Sequence, residues 1–487
     1  MSQSSSTSTL VLTAPGINVA GYLTSESGVA EGARGYVKAL QHLNYNIALN
    51  NFEVAASRKE DKTFTTFATN NPHPINLVCV NADQLPAFIQ QFGADYFKDK
   101  YNIAVWWWET PEFPEEWWEH FNHFDEIWVG SSYIQRTLAN VAPVPIVVVQ
   151  PVVEPKAFSV DRKKFELPED EFLFLCVFDF LSSFERKNPL ATIEAFKKAF
   201  SPEEPVRLVL KCINGERNPK LLAELQERAN GLRVTVLDRY LSPDDNQLLS
   251  NSCDAYVSLH RAEGLGFPIA EAMLNKKPVV ITGWSGNMDF NSIANSYLVS
   301  YELIANQIQV GPYKIADTWA NPSPEHAAQQ MRSVYTDAIT REKMVANAFK
   351  TASDYFSRQT VGEIIQTRLT AVAAFNRPTS EPPTDAKICD IDALTEQRLK
   401  IIESGEDPAD TSASKSRIRK VMMNFVEKSG YLNRIYSALF RKIFTDSSKI
   451  QTKVELIDSR TRRAVADADR RIAILEERIR ELEKQNQ

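Results

Sequence analysis

The chain has 487 residues, 43% of them hydrophobic and 24% charged, with a formal net charge of -7. That length exceeds what one hydrophobic core supports and suits two α/β domains with additional helices. The acidic balance argues against a surface that grips nucleic acid, and no run reaches the ~20 apolar residues of a membrane span.

The order of patterns along the chain sets the architecture. Residues 1–13 are rich in Ser and Thr, carry no charge and read as a disordered tail rather than a signal peptide. A first domain is expected over 14–155. Apolar runs at 17–23, 75–81, 101–108, 125–130 and 146–150 read as strands, and residues 29–43 as a helix. Strands separated by helical patterns imply βαβ units and a parallel sheet. Pro143, Pro145, Pro151 and Pro155 punctuate the end of this block.

A second series, expected over 156–358, repeats the theme. Strands are predicted at 172–178, 206–211, 234–237, 255–259 and 278–282, and helices at 188–200 and 267–275. Helical patterns continue over 324–356 and 360–375. Residues 359–388 read as a crossover helix and a Pro-rich linker. The five cysteines (Cys79, Cys176, Cys212, Cys253 and Cys389) are scattered without Cys-x-x-Cys spacing, which points to a reducing cytoplasm with neither disulfides nor zinc.

Beyond the linker the composition changes. Residues 389–446 form a basic helical segment. Lys415, Arg417, Arg419, Lys420, Lys428, Arg434, Arg441 and Lys442 are interleaved there with Ile418, Val421, Phe425, Leu432 and Ile435. Such a helix suits an anionic membrane surface or the acidic body of the protein itself. In residues 447–487, Ile450, Val454, Ile457, Thr461, Ala464, Ala468, Ile472, Leu475, Ile479 and Leu482 alternate steps of four and three with one stutter. That is a coiled-coil seam and implies self-association.

The segment that carries chemistry is residues 259–273, L-H-R-A-E-G-L-G-F-P-I-A-E-A-M. A strand runs into a glycine-bearing loop, and a helix opens at Phe267 and Pro268. Gly264, Leu265 and Gly266 bring backbone amides to the start of that helix, a site for an anion such as a diphosphate. Glu271, one turn into the helix, suits a ribose diol. Glu263 faces the position of a donor sugar, and His260 is close enough to be weighed as a contact to phosphate or sugar hydroxyl.

The spacing of Glu263 and Glu271 in E-G-L-G-F-P-I-A-E-A-M resembles the E-x7-E signature of retaining GT-B glycosyltransferases of family 4, the glycosyl transferases group 1. Three further segments are similar to that family in the same order. K-K-P-V-V-I-T-G-W-S-G-N places Gly286 and Asn287 at the donor sugar. D-F-L-S-S-F-E-R-K-N-P places Lys187 and Arg186 at the diphosphate. G-Y-L-T-S-E-S-G-V-A-E-G-A-R resembles the opening glycine loop and brings in Gly28. Two departures stand out. The family arginine ahead of the lysine is Asp179 here, with Arg186 available to substitute. The family histidine after the fourth strand is replaced by W-W-W-E-T-P-E-F-P, which makes Glu109 and Trp108 the candidates for acceptor contact.

The resemblance implies two Rossmann-like domains facing a cleft and transfer of a hexose from a nucleotide-diphosphate sugar. Configuration is retained as the acceptor hydroxyl attacks on the same face, with no cofactor and no metal. A mannosyl-type transfer from GDP-mannose to a glycan or lipid-linked acceptor in cell-surface polysaccharide assembly is the expectation. The enzyme would be cytoplasmic or peripheral at the inner face of the membrane. The alternatives are a non-catalytic GT-B scaffold oligomerised by its coiled coil, or another GT-B enzyme such as a sugar-nucleotide epimerase.

Overall fold

In the first 150 residues the apolar runs assemble into six parallel strands: β1 (Ile17–Gly21), β2 (Ile47–Asn51), β3 (Ile75–Cys79), β4 (Tyr101–Trp106), β5 (Glu126–Val129) and β6 (Ile146–Val148). The computed structural model describes residues 16–54, 58–154, 159–307 and 309–375. The sheet order is β2-β1-β3-β4-β5-β6. Helices α1 (Gly28–His42), α2 (Leu85–Phe92) and α3 (Ser132–Ala139) connect the strands. Every residue of β1 and β3 is buried, as continuous apolar runs are in a sheet covered on both faces.

A second parallel sheet follows: β7 (Phe172–Asp179), β8 (Val206–Ile213), β9 (Val234–Asp238), β10 (Ala255–Ser258), β11 (Val279–Thr282) and β12 (Tyr297–Val299). Its helices are α4 (Phe184–Lys187), α5 (Pro189–Ala199), α6 (Pro219–Ala229), α7 (Pro243–Ser252) and α8 (Phe267–Leu274). The order is β12-β11-β10-β7-β8-β9. Strand order therefore reverses between β7 and β10, and ligands of open α/β sheets bind at the carboxyl ends of strands flanking such a reversal. The antiparallel hairpin of β13 (Tyr301–Ala305) and β14 (Thr318–Pro322) is added beyond this sheet. Then come α9 (Pro324–Thr336), α10 (Ala338–Tyr355) and α11 (Arg358–Phe375).

The expected pair of α/β domains is thus present, with differences in detail. Residues 324–356 are two helices and not one continuous pattern. Asp337 caps the second, accepting from the Thr340 amide at 3.0 Å, so a new helix starts without Pro or Gly. The strand expected at residues 146–150 is the three-residue edge strand Ile146–Val148, half-buried. The strands β2, β12, β13 and β14 were not predicted. Helix α11 returns to pack on α1, burying Val361, Ile365 and Leu369. There Arg368 Nε reaches the fully buried carboxylate of Glu126 at 2.7 Å. Among the described residues no helix is long and apolar enough to cross a membrane. The amino-terminal tail, the linker from residue 376, the basic segment and the coiled-coil seam lie outside the described residues.

Candidate functional site

The reversal between β7 and β10 opens onto a cavity of about 550 Å³. After β10 the chain turns through Glu263, Gly264, Leu265 and Gly266 into α8. Gly266 has φ +95°, a left-handed conformation that glycine adopts without penalty, and it caps the helix. Neighbouring loops fix this turn. The Gly286 amide donates to the Glu263 carbonyl at 2.9 Å, and the Glu263 amide donates to Ser285 Oγ at 2.8 Å. A Cβ on Gly286 would fall 1.9 Å from the Gly264 carbonyl oxygen, so only glycine fits there. Opposite, Ser27 caps α1, and its first residues, Gly28 and Val29, line the same cavity from the first domain. A Cβ on Gly28 would lie 3.8 Å from Phe267, so the starts of α1 and α8 face each other closely.

After β7 the short helix α4 brings two cations to the turn. Lys187 Nζ donates to Glu263 Oε1 at 2.5 Å. Arg186 is buried and gives its Nη1 to the Ala262 carbonyl at 2.9 Å and its Nη2 to the Ser182 carbonyl at 3.1 Å. Its guanidinium lies 3.5 Å from Glu263 Oε2 and 3.9 Å from Glu109 Oε1. Burial works against the charge on Glu263, but Lys187 and Arg186 together pull its pKa down to about 2. Burial likewise opposes the Arg186 charge, and Tyr313, Glu109 and Glu263 hold it protonated.

The predicted residues fall into two groups. Lys187, Arg186, Glu263, Gly264, Leu265, Gly266, Glu271, Gly28 and Glu109 all line the cavity. Trp108, His260, Gly286 and Asn287 stand behind its wall. His260 is fully buried, and neither ring nitrogen has a hydrogen-bond partner among the described residues. Burial lowers its pKa to about 4, with Glu263 opposing the shift and Lys187 and Arg186 adding to it, so the ring is neutral and sits behind the wall. Asn287 is fully buried and donates to the Thr282 carbonyl at 3.2 Å, bracing the loop rather than facing a sugar.

Trp108, expected to offer an acceptor a stacking face, is covered. Its ring packs 5.4 Å from that of Tyr313, and its Nε1 donates to the Glu112 carbonyl at 2.6 Å. Tyr313 also donates its hydroxyl to Glu109 Oε2 at 2.8 Å. Two residues of the site were missed by the sequence reading: Tyr313, in a loop with no periodicity, and Lys211, on β8. The only signal for Lys211 is a charge at the end of an apolar strand. Asp179 caps the turn after β7, accepting from the Leu181 amide at 2.9 Å and from Asn214 Nδ2 at 2.7 Å. Among the described residues no cluster of His, Cys, Asp and Glu could hold a metal ion.

Residues 158–300, which supply most of this wall, match the family model of the glycosyl transferases group 1. No curated protein sequence matches the chain. Solved structures match its fold. A glycosyltransferase from Rickettsia africae superposes with a TM-score of 0.55 at 14% identity over 75% of this chain and 100% of its own. HepE from Anabaena, in complex with UDP and glucose, gives 0.54 at 14% identity, covering 73% and 100%. Sucrose-phosphate synthase from Thermosynechococcus elongatus gives 0.54 at 13% identity, covering 74% and 100%. Identities this low establish the fold alone. The chain has the GT-B fold, and residues 158–300 in its second domain match the model of the group 1 glycosyl transferases.

Proposed function

We propose that this protein is a retaining glycosyltransferase that moves a hexose from a nucleoside-diphosphate sugar to an acceptor hydroxyl. The observation that carries the reading is the meeting of Lys187, Glu263, the Gly264 turn with the α8 start, and Glu271 on one cavity wall at the strand reversal. Each has a chemical task there. The bond between the anomeric carbon and the diphosphate breaks, which leaves negative charge on phosphate oxygen and positive character on carbon. Lys187 and the amides at the α8 start meet the first charge. Glu263, held ionised beside the two cations, meets the second. Glu271 accepts from the ribose hydroxyls. The acceptor oxygen forms the new bond on the face the leaving group vacates, and its proton passes to the departing phosphate oxygen. Arg186 stands beside Glu263 and Glu109 and supports their charge, with one donor each from Nη1 and Nη2 given to backbone carbonyls.

In this reading the diphosphate charge is met by protein groups without a metal, and transfer persists in chelator. Complete loss of transfer in EDTA, restored by Mn²⁺, would contradict that part. The acceptor is a glycan or lipid-linked sugar, GDP-mannose is a donor to test, and the basic segment over 389–446 draws the enzyme to anionic lipid. The direct experiment is calorimetric titration of the full chain with nucleoside diphosphates, followed by transfer assays with the corresponding sugars. Absence of any nucleotide binding would remove the reading.

A further inference from the structure

Lys211 is a buried cation on the cavity wall that the chemistry above does not use. It sits on β8 opposite Val177 of β7, two strands away from the phosphate-side turn after β10. It is 4% exposed, yet it lines the cavity with Val177, Ile213, Tyr240 and Leu249. An ammonium group carries three donors. One goes to the Cys212 carbonyl at 3.0 Å, and no carboxylate among the described residues lies within ion-pair distance. The acids facing it electrostatically are engaged elsewhere. Asp179 accepts from Leu181 and Asn214, and Asp238 from the Gly215 amide at 3.3 Å. Burial pushes the Lys211 amine down to about 8, with Asp238 and Asp179 opposing and Arg239 adding to the shift. A buried cation with spare donors costs free energy until an acceptor arrives.

The rest of the cavity indicates what that acceptor is. If the turn before α8 takes the diphosphate and Glu271 the ribose, the region of β8 is left for the base. Its wall there carries the apolar Val177, Ile213 and Leu249 and the Tyr240 ring beside the polar Asn246, Gln247 and Ser250, a surface for a flat heterocycle with polar edges. We propose that Lys211 reads the nucleobase of the donor by donating to an exocyclic oxygen. The site then selects oxo bases, uracil or a 6-oxopurine, over cytosine and adenine. At the matching position those bases carry an amino group, which would meet the ammonium donor to donor. The inference rests on the donor-site reading.

The test compares bases that differ at that one group: UDP with CDP, and IDP with ADP, titrated against the full chain. Wild type should bind the oxo member of each pair at least about tenfold more tightly, the scale of one charged hydrogen bond. In Lys211→Met the two members of each pair should converge, chiefly through weaker UDP and IDP. Equal affinities in wild type overturn the proposal without needing a variant. A variant that weakens all four nucleotides alike also overturns it, since Lys211 would then serve the shared ribose diphosphate. If none of the four binds wild type, the donor site itself fails, a distinguishable result.

Discussion

Glu263 receives two cations at once, from Lys187 at 2.5 Å and Arg186 at 3.5 Å. Lys187→Ala removes the group that faces the leaving diphosphate. Turnover should fall by a factor corresponding to about 2–4 kcal/mol of barrier, measured as kcat with saturating donor. Glu271→Ala should act mainly on donor affinity and raise KM instead. Wild-type constants in both variants would refute the site. His260 offers a pH test. Its folded pKa of about 4 lies below the ordinary histidine value. As pH falls below about 6.5 the unfolded chain takes a proton that the folded chain refuses, so stability is lost between about pH 6.5 and 4. His260→Leu should remove that slope, gaining on the order of 2–3 kcal/mol over wild type at pH 4.5 relative to pH 7.5 in urea unfolding. Parallel pH profiles of the two proteins would contradict a buried neutral imidazole.

The β13–β14 hairpin carries the connection that joins the two domains at Glu109. Lys314 pairs with Glu116 of the first domain at 2.7 Å, and Tyr313 beside it docks on Trp108 and Glu109. The Tyr313–Glu109 hydrogen bond should show a coupling of about 1 kcal/mol in a double-mutant cycle of Tyr313→Phe and Glu109→Gln. Additive effects on unfolding would show the contact to be incidental. This hairpin also marks what the sequence left illegible. The motif around Glu263 and Glu271 was readable because a strand, two glycines and a helix start are local features. Lys187 meets Glu263 across 76 residues, and resemblance alone brought them together. Nothing local predicts that Tyr313 folds back onto Trp108, so a tryptophan expected to face an acceptor is covered. β2, with Asn50 and Asn51 in a five-residue edge strand, and β12, three residues long, fall below what periodicity resolves. His260 illustrates the same point: proximity in sequence to a glycine turn does not say which side of the wall a ring occupies.

At the scale of the molecule, α11 ties the end of the described chain to its beginning. Glu126 is fully buried and accepts from Trp128 Nε1 at 2.6 Å as well as from Arg368. Arg368→Ala would leave that carboxylate without its cation and should cost about 3 kcal/mol in global stability, less in Glu126→Gln/Arg368→Ala. A loss below about 0.5 kcal/mol would mean that solvent replaces the arginine. If the heptad spacing of residues 450–487 makes a coiled coil, their removal should abolish self-association in light scattering and leave nucleotide binding intact; a full chain that is monomeric would contradict the coiled-coil expectation.

The return of α11 also has a meaning for synthesis. Every strand of the first sheet has been synthesised by residue 148, yet the helix that covers α1 and brings Arg368 to Glu126 ends at residue 375. At translation rates of about 5–20 residues per second the first sheet waits for roughly 10–45 seconds without α11 on α1 and with Glu126 held by Trp128 and Tyr101, its cation still to come. The nascent first domain is therefore a stage at which the α1 face that α11 later covers is still open. A variant such as Arg368→Ala, which weakens the final docking step, should lower soluble yield in the cell more than its equilibrium stability alone would suggest.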